Sequence, residues 1–249
     1  MKAITEAYKL NKEIEQFVLD MKRTNTIYSI QDLAYVNQYI GYGGMWKLDT
    51  DLKGTRGLYE YYTPASVIEK MVGLAVKHGY ENGKVLEPSC GIGRFLHYFA
   101  PNAEVTGIEI DEISAAICKA NFPTFDIKKQ SFNALFVDRR GNSVDYKPEY
   151  DLVIGNPPYG EFSGRNTTRE KKATKANNFV EYFISRGLDL LNPNGVLAYI
   201  VPSAFLFLGE NEAKNIILQK ADLVEAYRLP YRIFDYTDIN TDIVVFKKK

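Results

Sequence analysis

The sequence has few of the residues that form cross-links or bind transition metals. Only two cysteines, Cys90 and Cys118, and two histidines occur among its 249 residues. Such a sparse set argues against a disulfide framework and against a structural zinc site, and we expect no metal. We expect both cysteines to be small buried side chains of a protein kept in a reducing compartment.

Neither charge nor hydrophobicity is concentrated in the chain. The 31 Lys and Arg balance 31 Asp and Glu, which argues against non-specific coating of nucleic acid but leaves room for a local basic patch. No run approaches the roughly 18 apolar residues of a membrane span, and the first residues do not open a signal peptide. With 45% hydrophobic and 25% charged residues, the composition is that of a soluble globular protein, which we expect in the cytoplasm.

The first forty residues are predicted to be helical, in two runs. Apolar residues recur at helical spacing from Ile4 to Met21, and Ser29 is a suitable N-cap for a second run that ends near Ile40. The glycines within residues 41–44 then break the pattern. We interpret residues 1–56 as a helical extension, either a lid on the main domain or a surface for a partner, and we favour the lid.

From Thr63 onward, short apolar runs alternate with helical patterns. Thr63 is predicted to cap a helix that has Pro64 in its first turn. Seven runs are predicted to be strands: Lys84–Glu87, Val105–Ile110, Phe125–Lys129, Asp151–Gly155, Val196–Val201, Leu223–Arg228 and Asp242–Phe246. The helical patterns between them include Glu112–Asn121, Phe179–Leu191 and Glu210–Lys220. This alternation predicts an α/β fold with a mostly parallel sheet covered on both faces, whose last strand is antiparallel because no helix precedes it.

Two adjacent strand ends carry residues typical of a nucleoside site. The first predicted strand ends at Glu87 and runs into Gly91-Ile92-Gly93, where glycines let the backbone approach a ligand closely. The second ends near Glu109, whose carboxylate can accept both hydroxyls of a ribose. Position 96 is Leu and not a third glycine, so the pattern favours a nucleoside cofactor other than a dinucleotide. A tight structural turn would explain the two glycines nearly as well.

The sharpest signal is the tetrad Asn156-Pro157-Pro158-Tyr159, which follows the apolar strand Asp151–Gly155. The prolines stiffen the backbone, so the side-chain carbonyl of Asn156 and the main-chain carbonyl of Pro157 could both accept hydrogen bonds from one exocyclic amino group. Such bonds would draw the nitrogen lone pair out of conjugation and aim it at an electrophile. Tyr159 offers a flat face for a planar base. A buried Pro-Pro turn with an incidental Asn and Tyr is the structural alternative.

In their order along the chain, these elements resemble the γ-class DNA adenine-N6 methyltransferases of restriction–modification and phage-defence systems, which use S-adenosylmethionine. The resemblance covers about residues 57–249 and rests on these segments: Tyr61-Tyr62-Thr63-Pro64, Glu87–Gly93, Glu109, Asn156–Tyr159, Asn177–Phe183 and Leu190–Val196. It implies a class I methyltransferase, a Rossmann-like seven-stranded catalytic domain over residues 57–249, which acts on a DNA adenine flipped out of the helix. A bacterial, phage or mobile-element origin is implied as well.

The resemblance also implies roles for individual residues, beginning with Asn156–Tyr159 as the catalytic tetrad. The residues implied to contact the cofactor are Tyr62, Thr63, Pro64, Glu87, Pro88, Ser89, Gly91, Gly93, Glu109, Ile110, Ser131, Phe132 and Asn156. Family members often have an acidic residue where this chain has Ser131, so the adenine amino group would meet an uncharged hydroxyl here. Tyr159 and Phe234 are implied to stack on the flipped base, although a core Phe at position 234 would fit nearly as well.

A basic segment follows the tetrad and is predicted to contact DNA phosphates. Between residues 165 and 175 it carries five basic side chains and one acidic side chain. We interpret it as a mobile loop in which Arg165, Arg169, Lys171 and Lys172 become ordered on DNA, with an ordinary solvated loop as the alternative. Family members usually add a target-recognition domain, for which no room remains after Phe246. We therefore expect a specificity or target-recognition subunit as a partner, a stand-alone enzyme of low specificity, or a piece of a longer protein.

Three other functions stay open on the sequence. A protein glutamine-N5 methyltransferase uses a similar tetrad for a side-chain amide, although the Tyr61–Pro64 element and the basic segment favour nucleic acid. An RNA adenine-N6 methyltransferase fits the same motifs. A non-catalytic cofactor-binding subunit is disfavoured by the intact tetrad, but Ser131 and the missing reader domain give it some support.

Overall fold

The structure, a computed structural model, describes residues 2–52, 60–162, 167–207, 209–234 and 237–249. It begins with two helices, α1 (Lys2–Thr24) and α2 (Ile30–Val36), as the apolar spacing predicts. Ser29 caps α2 as expected. Its hydroxyl accepts a hydrogen bond from the Asp32 amide, and the Asp32 carboxylate accepts one from the Ser29 amide, so two otherwise free N–H groups are satisfied.

Seven strands form one sheet within the described residues. Their bounds are Val85–Glu87 (β1), Val105–Glu109 (β2), Asp126–Lys129 (β3), Tyr150–Gly155 (β4), Leu191–Pro202 (β5), Ala221–Arg228 (β6) and Thr241–Lys248 (β7). The order across the sheet is β3-β2-β1-β4-β5-β7-β6. The first five strands pair in parallel, whereas β7 lies antiparallel between β5 and β6. The predicted mostly parallel sheet and its antiparallel last strand are confirmed.

Helices flank the sheet along its length. They are α3 (Ala65–Lys77), α4 (Glu112–Asn121), α5 (Thr167–Thr174), α6 (Phe179–Leu190), α7 (Ala204–Phe207) and α8 (Glu212–Lys220). Short 3₁₀ turns lie at Thr50–Leu52, Leu96–Tyr98 and Phe132–Leu135. Among the described helices, none is both long and apolar enough to cross a membrane.

The start of α3 differs from the prediction by one residue. Pro64, not Thr63, is the N-cap, because Pro64 stays extended with ψ at 147°. Its carbonyl accepts the first helical hydrogen bonds, from the amides of Val67 and Ile68. Thr63 is instead buried, 3% exposed, before the helix begins.

The predicted mobile loop after the tetrad is wrong for residues 167–174, which form α5. Residues 163–166, including Arg165, lie outside the described part of the chain. The local sequence is polar, but Glu170 is only 2% exposed and pairs with Arg186 on α6. A tertiary contact therefore stabilises a helix that the local pattern does not predict.

The sheet is buried on both faces, as expected for parallel strands between helices. α6 and α8 pack on one face, and α3 and α4 pack on the other. Strand β5 shows the alternation directly. Tyr199 and Val201 belong to the first core, whereas Ala198 and Ile200 belong to the second.

A third core joins the N-terminal helices to the sheet domain. Ile14 of α1 and Val36 of α2 pack in one cluster with Ile113 and Ile117 of α4. Ile92, from the glycine turn after β1, belongs to the same cluster. The N-terminal segment therefore lies beside the carboxyl ends of β1 and β2.

Candidate functional site

A cavity of about 620 Å³ opens where the carboxyl ends of β1, β2 and β4 meet. The strand order reverses between β1 and β4, and open parallel sheets bind ligands at such a point. Most of the residues that the sequence implied for the site line this cavity: Tyr62, Thr63, Glu87, Pro88, Ser89, Gly91, Glu109, Ile110, Ser131, Phe132, Asn156 and Pro158. Residues at or just after the ends of β1, β2, β3 and β4 are thus brought together.

Gly91 shapes the turn after β1 because a side chain would not fit there. Its φ is +54°, and an added Cβ would lie 2.4 Å from the ring of Tyr62. The Gly91 amide donates to one carboxylate oxygen of Glu109 (2.8 Å), and the Asp111 amide donates to the other (2.7 Å). Main-chain hydrogen bonds therefore hold the turn and the acidic strand end together.

Glu87, at the end of β1, is a buried acid with an unpaired oxygen. Its side chain is 1% exposed, and its Oε2 atom has no hydrogen-bond partner among the described residues. Burial raises the pKa of the Glu87 carboxyl well above its usual value. Burial also raises the pKa of Glu109, although the amides of Asp111 and Gly91 oppose the rise. A buried acid beside a half-buried one favours a cationic ligand, whose charge would offset their repulsion and desolvation.

The cavity also offers a surface for a flat ring. Ile110 lines it with a side chain that is 67% exposed, so its apolar surface is accessible to a ligand. Phe132, in the 3₁₀ turn after β3, also lines the cavity, and Ser131 beside it offers a hydroxyl. Apolar surface with a nearby hydrogen-bonding group suits a heterocycle that carries an amino group.

Asn156 stands just after β4, and two neighbours fix its amide. Its Nδ2 donates to the main-chain carbonyl of Tyr61 (3.5 Å), and the Tyr159 hydroxyl donates to its Oδ1 (2.8 Å). Burial raises the pKa of Tyr159, so its hydroxyl remains a donor. The Ser89 hydroxyl donates to the Asn156 carbonyl (3.3 Å) and ties the end of β4 to the turn after β1. The Oδ1 atom is thus an acceptor, as binding of an amino group requires, and Tyr159 occupies it in this structure.

Aromatic residues to which the sequence reasoning gave no role form another wall of the cavity. They are Phe162, Phe179, Tyr182 and Phe183. The rings of Phe162 and Tyr182 stack with centroids 4.0 Å apart. On α6 the spacing of residues 179, 182 and 183 places them on one face. That spacing was an available signal, but it is equally typical of a helix that merely faces a core.

Polar residues that the sequence reasoning missed also line the cavity, among them Glu60, Arg94, Asp111 and Ser114. Glu60 directly precedes Tyr61, and Asp111 caps α4 just after Glu109, so their closeness in the chain to predicted residues was the available signal. In the described part of the chain, no group of three or more His, Cys, Asp or Glu side chains is placed to bind a metal ion.

Some predicted residues do not line the cavity. Pro64, Gly93, Pro157 and Tyr159 adjoin lining residues without lining it themselves. Phe234 is 5% exposed and packs in the core beneath α3. The structure therefore places Phe234 as a core side chain, because its ring is enclosed by apolar neighbours rather than facing the site.

Helix α5 carries the basic residues predicted to contact DNA. Arg169, Lys171 and Lys172 are exposed on it, and the Arg169 guanidinium donates to the Gly141 carbonyl (3.0 Å). Glu170, on the inner side, accepts hydrogen bonds from the Arg186 guanidinium (2.7 and 2.8 Å). The buried pair fixes which side of α5 faces outward, so the basic side chains are presented to solvent.

Comparison with known proteins places these features in a family. The model of the Eco57I restriction-modification methylase family matches residues 103–234. The chain is 30% identical over 194 residues to defense against restriction protein B of Escherichia phage P1. The aligned region covers 76% of this chain and 8% of that protein. It is 28% identical over 161 residues to modification methylase CviBIII of Paramecium bursaria Chlorella virus NC1A, covering 63% and 40%. The chain spans less than half of the length of the first curated relatives that it matches.

A solved structure gives the same fold. The methyltransferase subunit of a type I restriction-modification system from Streptococcus thermophilus aligns with a TM-score of 0.62 at 20% identity, over 77% of this chain and 46% of that chain. This likeness confirms the predicted methyltransferase fold. Since the family model covers more than half of the chain, including β4 and the Asn156 tetrad, the chain belongs to the Eco57I restriction-modification methylase family.

Proposed function

We propose that this chain transfers a methyl group from S-adenosylmethionine to N6 of adenine in DNA. The observation that carries the proposal is the position of Asn156, which lines the same cavity as the buried Glu87 and the half-buried Glu109. One part of the cavity therefore suits a cationic nucleoside, and another offers an acceptor for an amino group. Both partners of a methyl transfer would then lie within reach of each other.

The residues at the ends of β1 and β2 fit S-adenosylmethionine. Each Glu109 oxygen accepts one main-chain hydrogen bond and keeps a lone pair for a ribose hydroxyl. The Glu87 carboxylate, whose residue lines the cavity, would lie beside the cationic methionine end, and Ile110 with Phe132 would hold the adenine ring. When bound, S-adenosylmethionine supplies a methyl group activated by its sulfonium charge.

The residues at the end of β4 would orient the target base. Flipping an adenine out of the duplex costs a few kcal/mol, which stacking on Tyr159 would offset by about 1–3 kcal/mol. Asn156 Oδ1 and the Pro157 carbonyl would accept hydrogen bonds from the N6 amino group and point its lone pair at the donor. For this to happen, the Tyr159 hydroxyl must release Oδ1.

The chain needs no general base for this reaction. The amino nitrogen becomes strongly acidic once it has gained the methyl group, so its proton can pass to water afterwards. The residues of the cavity would then act only by positioning the two reactants.

Helix α5 and a further subunit would supply contact with DNA. The exposed Arg169, Lys171 and Lys172 suit phosphate contacts, which set register rather than sequence. The similar protein from Streptococcus thermophilus is a methyltransferase subunit of a type I system. By analogy, we propose that a specificity or target-recognition subunit or domain selects the site that this chain methylates.

Transfer of a labelled methyl group tests the function. The purified chain is given labelled S-adenosylmethionine with duplex DNA, structured RNA or a release-factor protein. We expect label in DNA, loss of that label in Asn156→Ala, and retention of it in the control Asn215→Ala, which changes an exposed amide on α8.

Label in RNA or in the protein alone would favour the RNA adenine or glutamine-N5 alternative. Donor binding without transfer to any of the three would favour a non-catalytic subunit. An Asn156→Ala variant that transfers as well as the parent would contradict the proposed role of the tetrad.

A further inference from the structure

We propose that the N-terminal helical segment holds one wall of the methyl-donor pocket in position, and that Glu60 is the positioning residue through which it acts. The inference rests on the proposed function, because it assigns the regulation of affinity at that same site. The sequence alone left residues 1–56 without chemistry. In the structure their polar connection to the cavity wall is the Glu60 carboxylate, beside an edge-on contact between the rings of Tyr39 and Tyr62.

Glu60 lines the cavity and collects hydrogen bonds from three parts of the chain. In the N-terminal segment, the Tyr39 hydroxyl (3.2 Å) and the Tyr42 amide (3.0 Å) donate hydrogen bonds to the Glu60 carboxylate. It also accepts a hydrogen bond from the Ser114 hydroxyl at the start of α4 (2.9 Å) and one from the nearby Tyr62 hydroxyl (3.4 Å). Each of these groups donates, which matches an acceptor-only carboxylate.

The main chain of the N-terminal segment is also fitted to Glu60. The Gly43 amide donates to the Glu60 carbonyl (3.0 Å), and an added Cβ on Gly41 or Gly43 would approach that carbonyl to 2.6 or 2.7 Å. Asn11 of α1 is fully buried and fixes the neighbouring loop: its Nδ2 donates to the Gly41 carbonyl (2.5 Å), and its Oδ1 accepts the Ile40 amide (3.2 Å). The N-terminal segment therefore packs closely against Glu60 and is hydrogen-bonded to it.

Tyr62 and Ser114 transmit the contact to the donor site. Both line the cavity, and their hydroxyls lie 3.1 Å apart. The Tyr62 ring also borders the Gly91 turn, whose amide holds Glu109. If Glu60 lost its N-terminal donors, the ring and hydroxyl that face the proposed nucleoside would lose their fixed position.

Donor affinity of matched tyrosine variants tests the inference. Tyr39→Phe removes the hydroxyl that reaches Glu60 and keeps the ring. Tyr8→Phe removes another hydroxyl hydrogen bond of the same segment, to Asp49 (2.8 Å), which does not reach Glu60. Glu60→Gln keeps the shape of the side chain and removes its charge.

Isothermal titration calorimetry gives the Kd for S-adenosylmethionine, and a melting curve reports stability. We expect Tyr39→Phe and Glu60→Gln to weaken donor binding about three- to tenfold, the range of one net hydrogen bond. We expect Tyr8→Phe to bind the donor like the parent chain while its melting temperature falls as in Tyr39→Phe.

Parent-like Kd values in both Tyr39→Phe and Glu60→Gln would overturn the inference. So would equal weakening in Tyr8→Phe, because general loosening of the segment would then explain the effect. If the parent chain binds no S-adenosylmethionine, the proposed function itself fails. If it binds but these variants do not differ from it, only the inference fails.

Discussion

The two halves of the cavity are held by different means. In the donor half, at the ends of β1 and β2, main-chain amides hold a carboxylate, as Gly91 and Asp111 hold Glu109. In the acceptor half, after β4, an uncharged amide is held instead: the Tyr159 hydroxyl donates to Asn156 Oδ1, and Asn156 Nδ2 donates to the Tyr61 carbonyl. A permanent cation needs fixed negative charge, whereas a neutral base needs a flat surface and one directed acceptor. The difference in construction matches the difference between the two proposed ligands.

The comparison also predicts which half must move. Donor-half hydrogen bonds leave lone pairs for a ligand, so binding there does not require them to break. In the acceptor half, Tyr159 occupies the Oδ1 atom that the target amino group would use. We therefore expect a preformed donor site and an acceptor site that rearranges when the base enters.

Gly91→Ala should have the largest effect and should break the donor half. The added Cβ meets the Tyr62 ring at 2.4 Å, and φ of +54° disfavours a side chain. We expect the free energy of unfolding to fall by about 2–4 kcal/mol and donor affinity to fall with it, measured by chemical denaturation and calorimetry. Gly73→Ala on α3, where nothing lies within 4 Å of an added Cβ, is the control and should stabilise instead. Unchanged donor binding in Gly91→Ala would contradict the tight turn.

Substitutions of Tyr159 come next and probe the acceptor half. Tyr159→Ala should weaken base flipping by about 1–3 kcal/mol, because a stacking surface is lost. Tyr159→Phe keeps the ring and frees Asn156 Oδ1, so flipping should equal or exceed that of the parent chain. Fluorescence of 2-aminopurine at the target position measures both. A Phe variant as impaired as Ala would show that the hydroxyl, not the ring, matters.

Glu87→Gln should make donor binding weaker and less dependent on pH. Burial raises the pKa of Glu87 above its usual 4.5 in the donor-free protein. Lowering the pH through that raised pKa neutralises the carboxyl and should weaken binding of a cationic donor, while raising the pH should strengthen it. Calorimetry from acidic to neutral pH measures the slope, and an equal slope in the Gln variant would exclude Glu87 as its source.

The raised pKa of Glu87 affects folding stability in the opposite direction: stability should fall as the pH rises, whereas donor binding should strengthen. A carboxyl whose folded pKa is raised contributes stability that is fully present below its unfolded pKa and is lost as pH rises through the folded pKa. Without donor, Glu87→Gln should therefore melt higher than the parent chain at neutral pH. An unchanged melting temperature there would show that Glu87 is less desolvated than the structure indicates.

The smallest effect on the cavity is expected from α5, which lies outside both halves. Replacing Arg169, Lys171 and Lys172 with Ala should weaken DNA binding about a hundredfold near 0.1 M salt. It should also reduce the slope of log affinity against log salt by about 2–3, and leave the donor Kd unchanged. Fluorescence anisotropy at several salt concentrations gives the slope. An unchanged salt slope in the triple variant would show that these side chains of α5 do not contact DNA phosphates.

Local patterns in the sequence were sufficient to place most strands and helices, although the cap of α3 differs by one residue. The bounds of α4 agree with the prediction at both ends, and Glu109 and Asn156 lie at strand ends as expected. Tertiary contacts decided the rest. Glu170 makes α5 a helix by pairing with Arg186, and Phe234 packs in a core. No local pattern could show that Tyr39 reaches Glu60.

A crystal structure with S-adenosylhomocysteine tests the central claim most directly. We expect its ribose on Glu109, its amino-acid end beside Glu87, and its sulfur directed toward Asn156. That arrangement would place the transferable methyl between the two halves of one cavity. A ligand bound elsewhere, or one whose sulfur faces away from Asn156, would contradict the account.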